Sequence, residues 1–178
     1  MVKRSVILVF LWIVISSTGI CEVVMPKIFS NHMVLQRDQP ITLWGWGTPF
    51  ELISIRLGPL MEHVKVGKNG KWILDLAPMS AGGPYILTVK GRESELIFEN
   101  ILIGDLWICS GQSNMEWTND QFNYEETDTT FLKANIRLFK VAIATDYLPQ
   151  ENLKGGTWQL LDAETMGNFS AVSYYFGK

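Results

Sequence analysis

Apolar residues recur at every second position over most of the stretch between residues 23 and 98. Three segments carry this alternation: Ile53, Ile55 and Leu57; Trp72, Leu74 and Leu76; Tyr85, Leu87 and Val89. A period of two places such side chains on one face of a β-strand, whereas a helix needs a period near 3.6. The stretch therefore predicts short strands, each with one face turned toward a core.

Turn-forming residues separate these segments. They occur at Gly58-Pro59, at Asn69-Gly70 and in the run at 81–84, Ala-Gly-Gly-Pro. Asn69-Gly70 predicts a hairpin, because a type I′ turn requires positive φ at both central residues. Short strands at this spacing are typical of a small antiparallel β-sandwich, which we assign to residues 22–98. A core of this size is marginal, so we expect it to lean on a neighbouring unit.

The first 21 residues have the pattern of a secretory signal peptide. Lys3 and Arg4 precede an apolar run at 5–15, and small residues follow at 16–19. The run is too short to span a bilayer comfortably. An uncleaved anchor and a lipid on Cys21 are the alternatives, and the bulky Ile20 disfavours the second. We predict a cleaved signal at residues 1–21, a secreted or periplasmic protein, and no membrane attachment after cleavage.

Charge and cysteine content exclude several classes of protein. The formal net charge is -3, so the chain lacks the basic footprint of a nucleic-acid-binding protein or of one that binds anionic membranes. Cys109 is the one cysteine that falls clearly beyond the predicted signal, so an internal disulfide framework is excluded. We expect Cys109 to be a small buried apolar residue.

The sequence pattern changes near Asn100. The nearly continuous apolar run at 101–109 predicts a strand covered on both faces, as in a parallel sheet. A second buried strand is predicted within 135–144, and a helix begins near Asn168 with Val172, Tyr175 and Phe176 on its buried face. Residues 99–178 thus predict the truncated start of an α/β domain.

Ser113 lies where the predicted strand gives way to a helix. The N–H groups at a helix start stabilise negative charge on an alkoxide or a tetrahedral oxyanion. Gly111 leaves room for a substrate to approach, and the N–H groups of Ser113 and Asn114 could face the developing charge. The alternative is a polar turn in which Ser or Asn merely caps a helix.

Four sequence elements resemble one known family. They are Met-Val-Leu-Gln-Arg at 33–37, Trp-Gly-Trp-Gly at 44–47, Gly-Lys-Trp at 70–72 and Gly-Asp-Leu-Trp-Ile-Cys-Ser-Gly-Gln-Ser-Asn-Met at 104–115. In this order they are similar to the sialate O-acetylesterase family, over essentially the whole chain beyond the signal. The resemblance implies a β-sandwich followed by an SGNH hydrolase-like domain with a flavodoxin-like parallel sheet.

The resemblance also implies functional roles. Ser113 matches the nucleophile, and Gly111, Gln112 and Asn114 are candidates for oxyanion binding or substrate positioning. An O-acetylated carbohydrate, such as a sialic acid, would be the substrate, with no metal or cofactor. The sequence does not indicate an oligomeric state.

A serine esterase also needs a general base, which this family carries as a histidine downstream of the serine. No histidine follows Ser113, and His32 and His63 both lie in the predicted sandwich. We therefore predict the N-terminal part of an esterase that is inactive alone. The alternative is a non-catalytic secreted glycan-binding or scaffold module.

Two further groups of residues have a structural interpretation. Trp44, Trp46, Trp72 and Trp158 could stack on sugars, but we expect packed core residues or a wedge between units. Asp105, predicted within the buried strand, is expected to bond to nearby backbone rather than to act as a triad acid.

Overall fold

The structure is a computed structural model that describes residues 22–122 and 135–177. Seven strands form in the first part of the chain. Their bounds are Val34–Gln36 (β1), Ile41–Trp46 (β2), Leu52–Leu57 (β3), Leu60–Lys65 (β4), Lys71–Leu76 (β5), Gly82–Lys90 (β6) and Glu95–Gly104 (β7). The predominance of strands agrees with the alternation of apolar residues.

These strands form two sheets. The larger has the order β1-β7-β6-β3-β4, and the smaller pairs β2 with β5. The pairing of β1 with β7 is parallel, and the other pairings are antiparallel. The finer prediction, a β-sandwich at 22–98 followed by the truncated start of an α/β domain at 99–178, goes beyond this mostly β arrangement and stays a prediction.

One apolar core lies against both sheets. The larger sheet contributes Ile53 and Ile55, which are fully buried, and the smaller contributes Trp72. Ile73, next to Trp72, is 66% exposed, as the alternation requires. The burial that the period-two pattern predicts is therefore confirmed in both sheets.

The turn at Asn69-Gly70 exists, but the predicted hairpin is wrong. Gly70 has φ of +77°, and the N–H of Gly67 donates to the Lys71 carbonyl at 2.8 Å. The strands on either side belong to different sheets, since β4 pairs with β3 and β5 pairs with β2. The turn therefore carries the chain from one sheet to the other.

The apolar run at 101–109 does not form one strand. β7 begins earlier, at Glu95, and ends at Gly104, and its Ile101 and Ile103 lie in the core shared by the two sheets. Leu106, Trp107 and Ile108 follow without regular structure and are exposed. An apolar run forms a doubly covered strand only where neighbours cover both faces, and among the described residues no strand pairs with 105–109.

Shorter elements follow β7. They are the helices Ser113–Glu116 (α1), Ala163–Gly167 (α2) and Ala171–Gly177 (α3), the 3-10 turn Asn119–Phe122, and the strands Arg137–Phe139 (β8) and Trp158–Leu160 (β9). β8 and β9 pair antiparallel. Leu138, Leu161 and Tyr174 form a small second core. The strand predicted within 135–144 is therefore shorter than expected, and Val141 and Ile143 are exposed.

Helix α3 turns a different face inward from the one predicted. Ala171, Ser173 and Tyr174 are buried, whereas the expected Val172, Tyr175 and Phe176 are exposed. The start of the helix is fixed by a hydrogen bond from the Ala171 N–H to the Trp117 carbonyl at 2.8 Å and by a bridge between Thr118 and Ser170. These contacts set the rotation of the helix about its axis.

Trp158 joins the later elements to the first core. Its indole is buried in that core, and its Nε1 donates to the Ile28 carbonyl at 2.8 Å. The nearby Lys27 N–H donates to Asn152 Oδ1, also at 2.8 Å. The expectation of core or wedge tryptophans is confirmed for Trp158 and Trp72, both buried, while Trp44 and Trp46 are half-buried.

Within residues 22–122 and 135–177, no helix combines the length and the apolar character that a bilayer span needs. The predicted signal peptide, 1–21, lies outside the described residues.

Replacing Trp158 should separate the later elements from the core. We expect Trp158→Ala to lower the free energy of unfolding by about 3 to 5 kcal/mol, because a large buried side chain and a satisfied N–H are removed together. Urea unfolding followed by far-UV circular dichroism measures the change. Trp107→Ala is the control, since this tryptophan is 69% exposed; it should lose about 1 kcal/mol or less. Equal losses of unfolding free energy in the two variants would contradict the role of Trp158 in joining the later elements to the core.

Limited proteolysis should cut the later part of the chain first. Residues 140–157 lack helix and strand, and Tyr147 and Leu148 are strongly exposed. Chymotrypsin is expected to cleave there while β3 and β6 stay intact, because proteases need locally open backbone. Mass spectrometry of the fragments identifies the cuts. Cleavage within β3 or β6 at a comparable rate would contradict the expected difference in stability between the two parts.

Candidate functional site

A cleft of about 880 Å³ lies between the larger sheet and the later elements. Gly82 and Gly83 line it on the sheet side, and β8 and α3 line it on the other. Gly111, Gln112 and Ser113 lie along its wall. The cleft therefore brings together three of the four residues that the sequence singled out.

Ser113 is the first residue of α1 and is exposed. No described residue forms a hydrogen bond with its hydroxyl, and the N–H groups of Ser113 and Asn114 lack intrahelical acceptors because they belong to the first turn. The helix is four residues long, so its dipole is that of one turn. The sequence pattern predicts that Ser113 directly follows a strand. In the structure residues 105–112, which have no strand, separate β7 from Ser113.

Asn114 faces a different surface. It lines a neighbouring hollow of about 740 Å³ together with Trp117, Val172 and Tyr175. The structure thus places Asn114 next to Ser113 in the chain but does not place its side chain in the cleft. The Asn114 N–H remains beside Ser113 as a backbone donor.

Gly111 makes a close approach that a side chain would block. A Cβ built on Gly111 would lie 2.5 Å from Met115 Cγ. The Met115 N–H donates to the Gln112 carbonyl at 2.8 Å, which closes the turn around Ser113. Glycine at 111 therefore allows the turn to fold back on itself.

Asp105 and Cys109 differ from their predicted roles. Asp105 is exposed and pairs with Arg37, whose Nε donates to Asp105 Oδ1 at 2.8 Å, so its partner is a guanidinium rather than backbone. This hydrogen bond and the nearby charges of Asp105 and Asp38 raise the pKa of Arg37. Cys109 is exposed rather than buried. Both differences follow from the absence of a strand at 105–109.

The two histidines lie away from the cleft. His32 Nδ1 is 2.8 Å from Asn100 Nδ2, and His63 is exposed on β4 opposite Ser54. Neither lines the cleft, where the described carboxylates are Asp105 and Glu116. Among the described residues, no cluster of potential metal ligands is present.

Two features of this site were missed from the sequence. Trp107 and Phe176 line the cleft with ring centroids 5.2 Å apart in an edge-on arrangement. Gln36 Oε1 and Arg37 contact the segment that leads to Ser113. A signal was available for this second pair, since both residues lie in the element at 33–37, to which no role was attached.

Comparisons with known proteins match most of the chain. It is 32% identical over 171 residues to the sialate O-acetylesterase of Mus musculus, an alignment that covers 83% of this chain and 31% of that protein. The sialate O-acetylesterase of Homo sapiens is 30% identical, with 84% and 32% covered. The chain spans about a third of the length of these relatives. No protein-family model matches it.

A solved structure matches as well. It is the crystal structure of a carbohydrate acetylesterase from Xanthomonas citri, with a TM-score of 0.78 and 36% sequence identity, covering 87% of this chain and 36% of that one. Both comparisons therefore find relatives that are named as acetylesterases.

A methyl group at position 111 should disturb the turn. We expect Gly111→Ala to lower the free energy of unfolding by about 1 to 3 kcal/mol, because the new Cβ collides with Met115. Urea unfolding measures this loss. Gly111→Ala combined with Met115→Ala should lose less than the sum of the two single changes, since the collision is relieved. Additive losses would show that the contact does not limit the turn.

Proposed function

The chain belongs to the sialate O-acetylesterase family, and from this premise we propose that it is part of a serine esterase that removes O-acetyl groups from carbohydrates. Sialic acids are the proposed substrate class, in line with the names of the curated relatives. The observation that carries the proposal is the exposed Ser113 on the wall of the cleft, inside the Gly-Gln-Ser-Asn-Met element.

In the proposed reaction the Ser113 hydroxyl oxygen attacks the acetyl carbonyl carbon, and a base takes the hydroxyl proton. The carbonyl oxygen becomes an oxyanion, toward which the N–H groups of Ser113 and Asn114 can donate. Collapse breaks the bond to the sugar oxygen, which leaves with a proton, and the acetyl group stays on Ser113. Water then attacks this ester and releases acetate. No metal or cofactor takes part.

The missing element is the base. Asp105 is engaged by Arg37, and no described residue places an imidazole in the cleft. A carboxylate alone is a weak base toward a serine hydroxyl, because its pKa is far below that of the alcohol. We therefore propose that the chain is the N-terminal part of the enzyme, with turnover near zero by itself. In this proposal a β-sandwich at 22–98 precedes the start of an SGNH-type domain at 99–178.

We also propose that residues 1–21 direct the protein to the periplasm or the cell exterior. The apolar run after Lys3 and Arg4 supports this, together with the small residues at 16–19.

A second candidate function is a non-catalytic glycan-binding module. Trp107 favours it, because the indole is 69% exposed and lines the cleft beside Phe176. An exposed aromatic face can stack on a sugar ring without any chemistry. In that case Ser113 would have no catalytic role.

External imidazole should distinguish the two functions, because a small base in solution can occupy the place of a missing side chain. We expect the chain with imidazole to hydrolyse an aryl acetate faster than Ser113→Ala does under the same conditions. The difference should be about tenfold or less, since an untethered base lacks the advantage of fixed position. The rate of phenol release measures it, and an acetyl group on Ser113, seen by mass spectrometry, identifies the nucleophile.

Ser110→Ala is the matched control, since Ser110 is exposed in the same segment. It should behave like the unchanged chain. Equal rates for the unchanged chain and Ser113→Ala at all imidazole concentrations would refute the proposal that Ser113 is the nucleophile. Binding of an acetylated sugar under those conditions would favour the glycan-binding module.

A further inference from the structure

We propose that Gln36 and Arg37 are positioning residues that hold the segment leading to Ser113, an inference that rests on the proposed function. We call the contacts of these two residues with Asp105 and Leu106 the 36–37 clamp. Neither residue lines the cleft itself, so the clamp would act through the backbone between 105 and 113.

The clamp begins where two parallel strands end together. In the register of β1 and β7, Gln36 lies opposite Gly104, and the Arg37 N–H donates to the Gly104 carbonyl at 2.9 Å. Parallel strands end at the same edge of a sheet, so the chain that leaves β7 starts beside these two side chains.

Two side-chain contacts continue the register beyond the sheet. The Leu106 N–H donates to Gln36 Oε1 at 2.9 Å, and Arg37 Nε donates to Asp105 Oδ1 at 2.8 Å. The Gln36 side chain thus supplies the acceptor that a neighbouring strand would give the Leu106 N–H within a sheet. The Arg37 guanidinium adds a charged hydrogen bond to Asp105, the residue before Leu106.

Beyond Leu106 the chain has few anchors before Ser113. Among the described residues, no backbone hydrogen bond holds the N–H or carbonyl groups of 107–111. On the far side, the Trp117 carbonyl accepts from the Ala171 N–H. The turn carrying Ser113 is therefore held by the clamp, by the ring contact of Trp107 with Phe176, and by the start of α3. Loss of the clamp should free one of its two ends.

The ion pair in the clamp is exposed, with side-chain exposures of 44% for Arg37 and 56% for Asp105. Exposed ion pairs contribute little to the stability of a fold. The clamp should therefore affect the local order of 105–116 far more than global unfolding, and this difference separates positioning from a general structural role.

Hydrogen exchange of the complete chain tests the local order. In Gln36→Leu and Arg37→Ala we expect the hydrogen-bonded amides of Leu106 and Met115 to exchange about tenfold faster, because the local opening free energy falls, while β3 and β6 keep their protection. Gln36→Glu should restore the protection, since it keeps an acceptor for the Leu106 N–H. The matched control is Glu95→Gln, which removes the exposed Lys90–Glu95 pair.

The imidazole-supported reaction supplies the second measurement. Gln36→Leu should lower kcat of the Ser113-dependent reaction with little change in KM, and Gln36→Glu should recover it, because the clamp orients the nucleophile without contacting substrate. Unchanged exchange of the Leu106 and Met115 amides in both Gln36→Leu and Arg37→Ala would overturn the clamp. Equal acceleration in Glu95→Gln, or equal loss of protection in β3, would overturn it as well.

The two proposals fail in different ways. If Ser113→Ala matches the unchanged chain, the esterase assignment fails, and faster exchange confined to 105–116 would still support the clamp as the anchor of this segment. If Ser113 is required for hydrolysis but the clamp variants react and exchange as the unchanged chain does, the clamp fails and the esterase stands.

Discussion

The parallel pairing of β1 with β7 determines where the candidate nucleophile can lie. Its hydrogen bonds include those from the Leu102 N–H to the Met33 carbonyl and from the Arg37 N–H to the Gly104 carbonyl. On its other side β7 pairs with β6, so both of its edges are occupied and its end at Gly104 is fixed within the larger sheet. The segment that leads from Gly104 to Ser113 therefore begins at a fixed position. The cleft exists because the chain leaves the sheet there and returns through α3.

The alternation of apolar residues made much of the strand structure predictable, because it reports which face each strand buries. Ile53 and Ile55 are buried as the pattern requires. The pairing of the strands was harder to predict from the sequence. Gly70 has positive φ but Asn69 does not, so the type I′ turn is absent. β5 joins a different sheet from β4, because a local turn does not specify which distant strand supplies the hydrogen bonds.

The candidate site shows a similar division. An exposed Ser113 beside Gly111 could be expected from the residues, since their short-range geometry is set by the turn. The contact of Gln36 with Leu106 joins residues 70 apart in the chain, so no local pattern predicts it. The exposure of Trp107 was also inaccessible, because an apolar run indicates a need for burial but not whether the described neighbours provide it.

The position of Trp158 in the first core has a consequence for how the protein acquires its structure during synthesis. Strands β1 to β7 leave the ribosome well before residue 158, and until the indole arrives the Ile28 carbonyl lacks its donor and the core lacks one of its large side chains. N-terminal units generally fold first during translation. The core shared by β1 to β7 is therefore complete only after residue 158 has been synthesised, so the first part of the chain reaches its final packing late.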